Sequence, residues 1–333
     1  MPPIQPVLRL LGMPLSRSVH LVGSGHAHPE RELTSADLER IVPGMAEGWS
    51  DKYLGMRSRR VLGIEEQIND LLTDAVGSAL DDAGWDGDSL QAIVCGALYP
   101  DQVLPASASY VARTYNPHAV AFDVRAACAG FIYGLSVANG LLHMDDYRRV
   151  AVCAGDHPTA YADYTDPRSC VFFGDSAGAV LLTTDEPTAP SFEMVDLTLN
   201  GDHEFPEKVY THRSGHFTSD GRYSFGQVMR LGSDSVATVL ERNEVDPSTV
   251  AGFAFHQASR RVLEEISVHT GIPSQKHWHN YEWAGNQTAA GVVTAFSAGW
   301  KEHRGELRDG DHVVLAAVGG GYVGGAALLR WKS

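Results

Sequence analysis

Short runs of apolar residues alternate along this chain with longer segments in which apolar residues recur every three or four positions. The short runs predict strands, most clearly Ala92–Ala97, Val150–Ala154, Cys170–Phe173 and Val313–Ala317. The longer segments predict helices over Glu65–Ala83 and Gly130–Leu142 in the first half, and over Ser259–His269 and Asn286–Ala298 in the second. Strands and helices in alternation predict a layered α/β protein.

Laid side by side, the two halves repeat a pattern. SCVFFGDSAGAVLLTT (169–184) and DHVVLAAVGGGYVGGAALLRW (311–331) each read as strand, glycine turn, strand. Ahead of them lie AACAGFIYGLSVANGLL (126–142) and GNQTAAGVVTAFSAGW (285–300), both small residues opening an apolar helix. The expected organisation is therefore an N-terminal half over residues 1–190 and a C-terminal half over 191–333. Between them the polar stretch 197–223, rich in Gly, His and Asp, reads as a long loop of the kind that gates substrates.

Composition narrows the function classes. With 333 residues, 44% hydrophobic and 20% charged, the chain has ample material for a core. The 34 glycines agree with many tight strand–helix turns. A formal net charge of −15 argues against nucleic acid or an anionic membrane as partner. No apolar run reaches the roughly 18–20 residues of a membrane span, and the proline-bearing N-terminus lacks the pattern of a signal peptide, so a cytoplasmic location is expected.

Four cysteines (Cys95, Cys128, Cys153, Cys170) have no CxxC spacing, which fits neither a disulfide framework nor a zinc site. The pairs His26/His28 and His277/His279 lack further ligands at useful spacing, so no metal is expected. GGGYVGG (319–325) is followed by a strand rather than a helix, which removes a dinucleotide-loop reading.

Cys128 sits between small residues at the mouth of a helix, AACAG, where unpaired N–H groups would favour a thiolate and could hold an oxyanion. The same motif also fits a buried cysteine in a tight helix–sheet contact. His256 ends the apolar run 250–255 just before a helix, a common place for active-site residues in α/β folds, although a surface histidine would look the same. Asn286 takes, in the second half, the helix-mouth position that Cys128 takes in the first; a plain helix N-cap is the alternative.

Five blocks taken together carry a resemblance: DVRAACAGFIYGL (123–135), FGDSAGAVLL (173–182), HQASRRVLEEI (256–266), GNQTAAG (285–291) and GGGYVGGAALLRW (319–331). In this order they resemble the β-ketoacyl-acyl carrier protein synthase III family, over about 19–331. The resemblance implies a thiolase-like five-layered αβαβα fold of two pseudo-symmetric halves, the first carrying the nucleophilic cysteine and the second His and Asn. It implies a homodimer and a catalytic Cys128, His256 and Asn286. The N–H groups of Cys128 and Gly320 would form the oxyanion hole. Cys128 would take an acyl group from a thioester, and a malonyl thioester would then lose carbon dioxide and condense with it. No permanently bound cofactor is implied; coenzyme A thioesters and acyl carrier protein are the implied substrates and partners.

The same resemblance places Trp49 at the cofactor entrance and Leu104 in the partner subunit's acyl pocket, and assigns Arg230 and Arg261 to carrier-protein docking. It departs from the family at Tyr53, which replaces an arginine, and in 155–163, where a second cofactor-contacting arginine is absent. Two other readings stay open. One is an acyltransferase of the same fold serving an alcohol or amine; the other is a non-catalytic partner subunit.

Overall fold

The structure is a computed structural model that describes residues 17–333; the expectation for the first residues of the N-terminus lies outside the described residues. In the first half the strands are β1 (His20–Ala27), β2 (Glu32–Thr34), β3 (Ser58–Arg60), β4 (Ala92–Gly96), β5 (Val120–Val124), β6 (Arg149–Asp156) and β7 (Ser176–Thr183). In the second half they are β8 (Ser191–Gly201), β9 (Val209–Tyr210), β10 (Thr218–Ser219), β11 (Gly252–Phe255), β12 (His312–Gly319) and β13 (Val323–Lys332). Nine of these form one sheet in the order β11-β12-β13-β8-β1-β7-β6-β4-β5. β4 is parallel to β5 and β6, β11 is parallel to β12, and the other neighbours are antiparallel.

The order reads the same outward from the seam between β1 and β8. The first half runs β1, helix Ile68–Ala83, β4, helix Ser107–Tyr115, β5, helix Gly130–Leu142, β6, β7. The second runs β8, helix Gly221–Arg242, β11, helix Arg260–Thr270, a single parallel bridge from Phe253 to His277, helix Ala290–His303, β12, β13. That bridge stands where β5 stands in the first half.

Hydrophobic burial produces five layers. Helix Ile68–Ala83 covers β1, β7 and β6 on one outer side, and helix Gly221–Arg242 covers β13, β12 and β8 on the other. Helices Gly130–Leu142 and Ala290–His303 lie between the two wings of the sheet, each touching strands of both halves. Three apolar cores separate the layers: Leu72, Ile93 and Val111 in the first, Phe131, Phe296 and Trp300 in the middle, Phe253, Phe255 and Leu263 in the third. The contact between β4 and the middle layer requires glycine, because a Cβ at Gly96 would lie 2.5 Å from the carbonyl carbon of Gly130. This is the αβαβα arrangement with two similar halves that the sequence led us to expect. No helix among the described residues is long and apolar enough to cross a membrane.

Three local expectations fail. Cys170–Phe173 is not a strand: Cys170 closes the short helix Pro167–Cys170, and Phe173 makes only an isolated bridge, to Asn286. Cys170, Val171 and Phe173 are buried beside the sheet and Phe172 partly so, and an apolar run cannot distinguish that from a strand. Consequently 169–184 is not a hairpin, whereas β12 and β13 are one, paired from His312↔Arg330 to Gly319↔Val323. The predicted loop 197–223 shrinks to 202–220, since β8 runs on to Gly201 and a helix starts at Gly221. The last middle-layer helix begins at Ala290, four residues after the predicted start at Asn286.

Candidate active site

A cavity of about 1390 Å³ opens where the two halves meet, and its wall includes Cys128, His256 and Asn286. The chain reaches Cys128 from β5 through Ala127, whose φ of 45° is in the left-handed region. One 3-10 turn, Ala127–Ala129, then feeds helix Gly130–Leu142. This turn lifts Cys128 to an intermediate exposure, whereas Cys95, Cys153 and Cys170 are buried. The end of β12 backs onto it: a Cβ at Gly319 would lie 2.7 Å from the backbone nitrogen of Cys128. Gly319 is thus the glycine pressed against the cysteine. Gly320, the expected partner, is the next residue on the cavity wall and packs under Val209.

Folding opposes ionisation of the thiol. Burial, and after it the Asp156 carboxylate, pushes Cys128 up to about 12, with only a backbone N–H working the other way. Loss of water around the sulfur thus works against the anion that the helix end is expected to favour.

His256 follows β11 and donates its backbone N–H to Ala316 of β12 at 3.0 Å. The ring is 4% exposed and burial lowers its pKa to about 4, so it is neutral at pH 7. Its Nδ1 is enclosed without a partner, which leaves Nε2 as the nitrogen available to the cavity.

Asn286 is fixed by its backbone, which donates to Phe172 O at 2.7 Å and accepts from Gly174 N at 3.1 Å. Its Oδ1 accepts from Thr288 N at 3.0 Å, so Nδ2 is the group left to donate. Asn286 is not the positional twin of Cys128. The left-handed non-glycine residue leading into the second middle-layer helix is Thr288, at φ 50°, so Asn286 precedes its strained residue by two while Cys128 follows Ala127.

Two buried residues were not singled out in the sequence. Asp156, at the end of β6 and 0% exposed, accepts from Leu98 N and Tyr99 N at 2.7 Å each through Oδ1. Its Oδ2 accepts from the Thr288 hydroxyl and from Ala289 N at 3.1 Å. Gln287, also 0% exposed, accepts from the hydroxyls of Ser176 (2.9 Å) and Thr294 (2.7 Å) and donates to Asn280 Oδ1 at 2.7 Å. An acidic residue two positions after a predicted strand was the available signal for Asp156; Gln287 offered none beyond its neighbour.

The remaining expectations scatter. Trp49 lines the cavity, with Tyr53 beside it at 5.3 Å between ring centroids. Leu104 is 84% exposed and is not on the cavity wall of this chain, although Val103 is. Arg230 is engaged by Asp202 and by Gln227 Oε1 at 2.7 Å, whereas Arg261 lies over the Phe225 ring at 5.0 Å. Arg260 is spent on the end of helix Trp49–Leu54, donating to Lys52 O at 2.9 Å. His26 bonds Ser297, His28 bonds Gln287 and His277 bonds Ser267; no group of three or more His, Cys, Asp or Glu that could hold a metal occurs among the described residues.

Comparison with known proteins agrees with this architecture. The family model described as 3-oxoacyl-[acyl-carrier-protein (ACP)] synthase III matches residues 122–202, and its C-terminal counterpart matches 240–331. A β-ketoacyl-[acyl-carrier-protein] synthase III of Ruegeria pomeroyi is 33% identical over 93% of this chain and 98% of its own length. One from Aquifex aeolicus is 31% identical over 93% of this chain and 99% of its own. The crystal structure of 3-oxoacyl-[acyl-carrier-protein] synthase III from Aquifex aeolicus superimposes with a TM-score of 0.87 at 30% identity, covering 94% of this chain and 99% of that one. The chain with its thiol, imidazole and carboxamide on one cavity therefore belongs to the β-ketoacyl-acyl carrier protein synthase III family.

Proposed function

We propose that this chain is a ketosynthase III-type condensing enzyme in which Cys128 carries the acyl group and His256 and Asn286 stabilise an enolate. One observation carries the reading: a thiol shares a cavity with two uncharged side chains that can donate N–H groups. In the first half-reaction the sulfur of Cys128 attacks the carbonyl of an acyl thioester. The backbone N–H groups around Cys128 and Gly319–Gly320 hold the oxyanion, and the thiol proton leaves on the departing thiol. In the second, a malonyl thioester loses carbon dioxide. The resulting enolate oxygen is held by Nε2–H of His256 and Nδ2–H of Asn286. Its carbon attacks the acyl-enzyme and frees Cys128, which regains a proton. Donors suit this step better than a base, because decarboxylation leaves charge to be stabilised rather than a proton to be removed.

The substrates in this proposal are thioesters of coenzyme A or of an acyl carrier protein, with no cofactor resident in the site. The cavity is large enough for a pantetheine arm, and Trp49 offers a ring at its wall. Arg261 and, once released from Asp202, Arg230 would meet an acidic carrier. A homodimer in the cytoplasm completes the proposal.

The test is mass spectrometry of the protein after exposure to a panel of acyl thioesters, followed by carbon dioxide release from a malonyl thioester. Cys128→Ala should form no acyl-enzyme. Asn286→Ala should still load the acyl group but decarboxylate on the order of 10²–10³-fold more slowly, the usual cost of one oxyanion-type donor. Full activity of Asn286→Ala would overturn the assignment. A wild-type protein that acylates an alcohol or amine and never decarboxylates would replace condensation with simple acyl transfer.

A further inference from the structure

The second half-reaction needs the Asn286 donor and the acyl group on Cys128 to be held in register, yet they come from different halves of the chain. One carboxylate that the mechanism above does not use is hydrogen-bonded to both halves. We propose that Asp156 is the positioning residue of this site: a single buried carboxylate that locks the Asn286–Ala289 segment and the Leu98–Tyr99 wall together around Cys128. The proposal deepens the condensing reading and rests on it for its catalytic consequence.

The argument is one of hydrogen-bond counting. Four donors converge on Asp156: two backbone N–H groups on Oδ1, and a hydroxyl and a backbone N–H on Oδ2. Leu98 and Tyr99 belong to the first half and line the cavity; Thr288 and Ala289 belong to the second and follow Asn286 by two and three residues. A carboxylate accepts at both ends, whereas an amide of the same shape must turn an N–H₂ toward one pair of donors. No neutral isostere therefore satisfies the site. The strained φ of Thr288 gives the anchor a purpose, since a β-branched residue in the left-handed region needs its surroundings to hold it there. Holding Thr288 also holds Asn286, because Thr288 N is the donor that fixes the Asn286 amide.

The same carboxylate acts on the nucleophile through space. Its pKa is raised by burial to about 6, so it is ionised at pH 7 and opposes ionisation of Cys128. Tyr99, His256, Asp123 of β5 and Arg125, whose guanidinium donates to Leu98 O at 3.4 Å, share the cavity wall with Cys128. Tyr99 is held protonated by burial and His256 is neutral. Asp123 accepts from Ser107 N and Ala108 N, which ties its charge to the start of helix Ser107–Tyr115. Asp156 thus has two separable effects, placement of the donor and suppression of the thiolate.

Asp156→Asn separates them. Decarboxylation of a malonyl thioester should fall about 10²-fold, the scale of a misplaced catalytic group. Alkylation of resting Cys128 by iodoacetamide at pH 7.5 should rise about tenfold, because a neighbouring negative charge has been removed. A purely structural role would lower both. Thr288→Val keeps the charge but removes one donor, so it should slow decarboxylation without accelerating alkylation, and Thr288→Ser should recover most of the loss. Circular dichroism of each variant identifies any that fails to fold, and Thr288→Val carries the test if Asp156→Asn is such a case. Unchanged decarboxylation in a folded Asp156→Asn, or in Thr288→Val, would overturn the proposal, as would a fall in alkylation rate in folded Asp156→Asn. Alkylation needs no turnover, so a wild-type protein that never decarboxylates would refute the condensing reading while the charge effect on Cys128 was still measured.

Discussion

At the scale of single residues the site depends on backbone positions that tolerate no extra atom. Ala127 pays a left-handed φ to lift Cys128 out of the sheet, and Gly319 leaves room for the turn that results. An added methyl at Gly319 would meet Cys128 N at 2.7 Å, Ala126 O at 2.9 Å and Ala127 Cβ at 2.9 Å, all of them unable to swing away. Gly319→Ala is therefore expected to shift the oxyanion donors. Acyl loading of Cys128, followed by mass spectrometry over time, should slow about 10²-fold. The accompanying loss of stability should be about 1–3 kcal/mol in urea unfolding, the usual cost of overpacking. Loading at the wild-type rate would show that the β12 end does not shape the oxyanion site.

At the scale of elements, the excursion 202–220 and the segment 97–106 form much of the cavity's remaining wall. The excursion is pinned rather than free: Thr211 Oγ1 and Tyr99 OH are 2.8 Å apart, and Phe217 packs edge-on against Phe173 at 5.0 Å. Tyr99 in turn stacks on Tyr161 at 4.5 Å. Beyond Tyr99 the chain turns outward and leaves Val103 and Leu104 82% and 84% exposed. Two adjacent apolar residues so exposed are consistent with a second copy covering them. If Leu104 reaches a partner's acyl pocket, Leu104→Phe should shift chain-length preference toward short acyl groups only under conditions where a dimer is present. Competition between short and long acyl thioesters, measured alongside light scattering, checks this. An unchanged profile in a dimer would remove Leu104 from the pocket.

At the scale of the whole molecule, placing the site at the seam of two similar halves buries titratable groups, and that has a pH signature. Burial lowers His26, His256 and His277 to about 4 and His28 to about 3. In the unfolded chain these rings take up protons near pH 6.5. The unfolded state therefore binds more protons between pH 6.5 and 4, and the fold loses stability as pH falls through that window. Asp156, raised to about 6, and Asp175, also raised by burial, act in the opposite sense because the folded state retains their protons. His20 and His312 are lowered in the same way and Asp123 is raised, so six histidines stand against three carboxylates and leave a net loss, at about 1.4 kcal/mol per pH unit for each proton of difference. Thermal unfolding should show a midpoint falling steadily from pH 6.5 to 4. A flat profile would mean that these rings are hydrated in solution.

Periodicity by itself determined much of this protein. Helices Gly130–Leu142 and Ile68–Ala83 and strands β4, β6 and β12 are legible because their apolar positions repeat at the period of the element that buries them. The repeated halves, and Cys128, His256 and Asn286 as candidates, could also be read from the order of residues, since small residues before a helix and polar residues at strand ends are local features. Other properties appear only when distant segments meet. Cys170–Phe173 is as apolar as a strand but packs beside the sheet, because burial is shared by strands and by turns under a long loop. The ionisation of Cys128 follows from how much water the folded cavity excludes and from a carboxylate 28 residues away in sequence. Asp156 itself is one acidic letter after a strand until the fold brings to it donors from 58 residues before and 133 residues after. Local pattern records which side of an element is buried; only tertiary packing decides which donor meets which acceptor there.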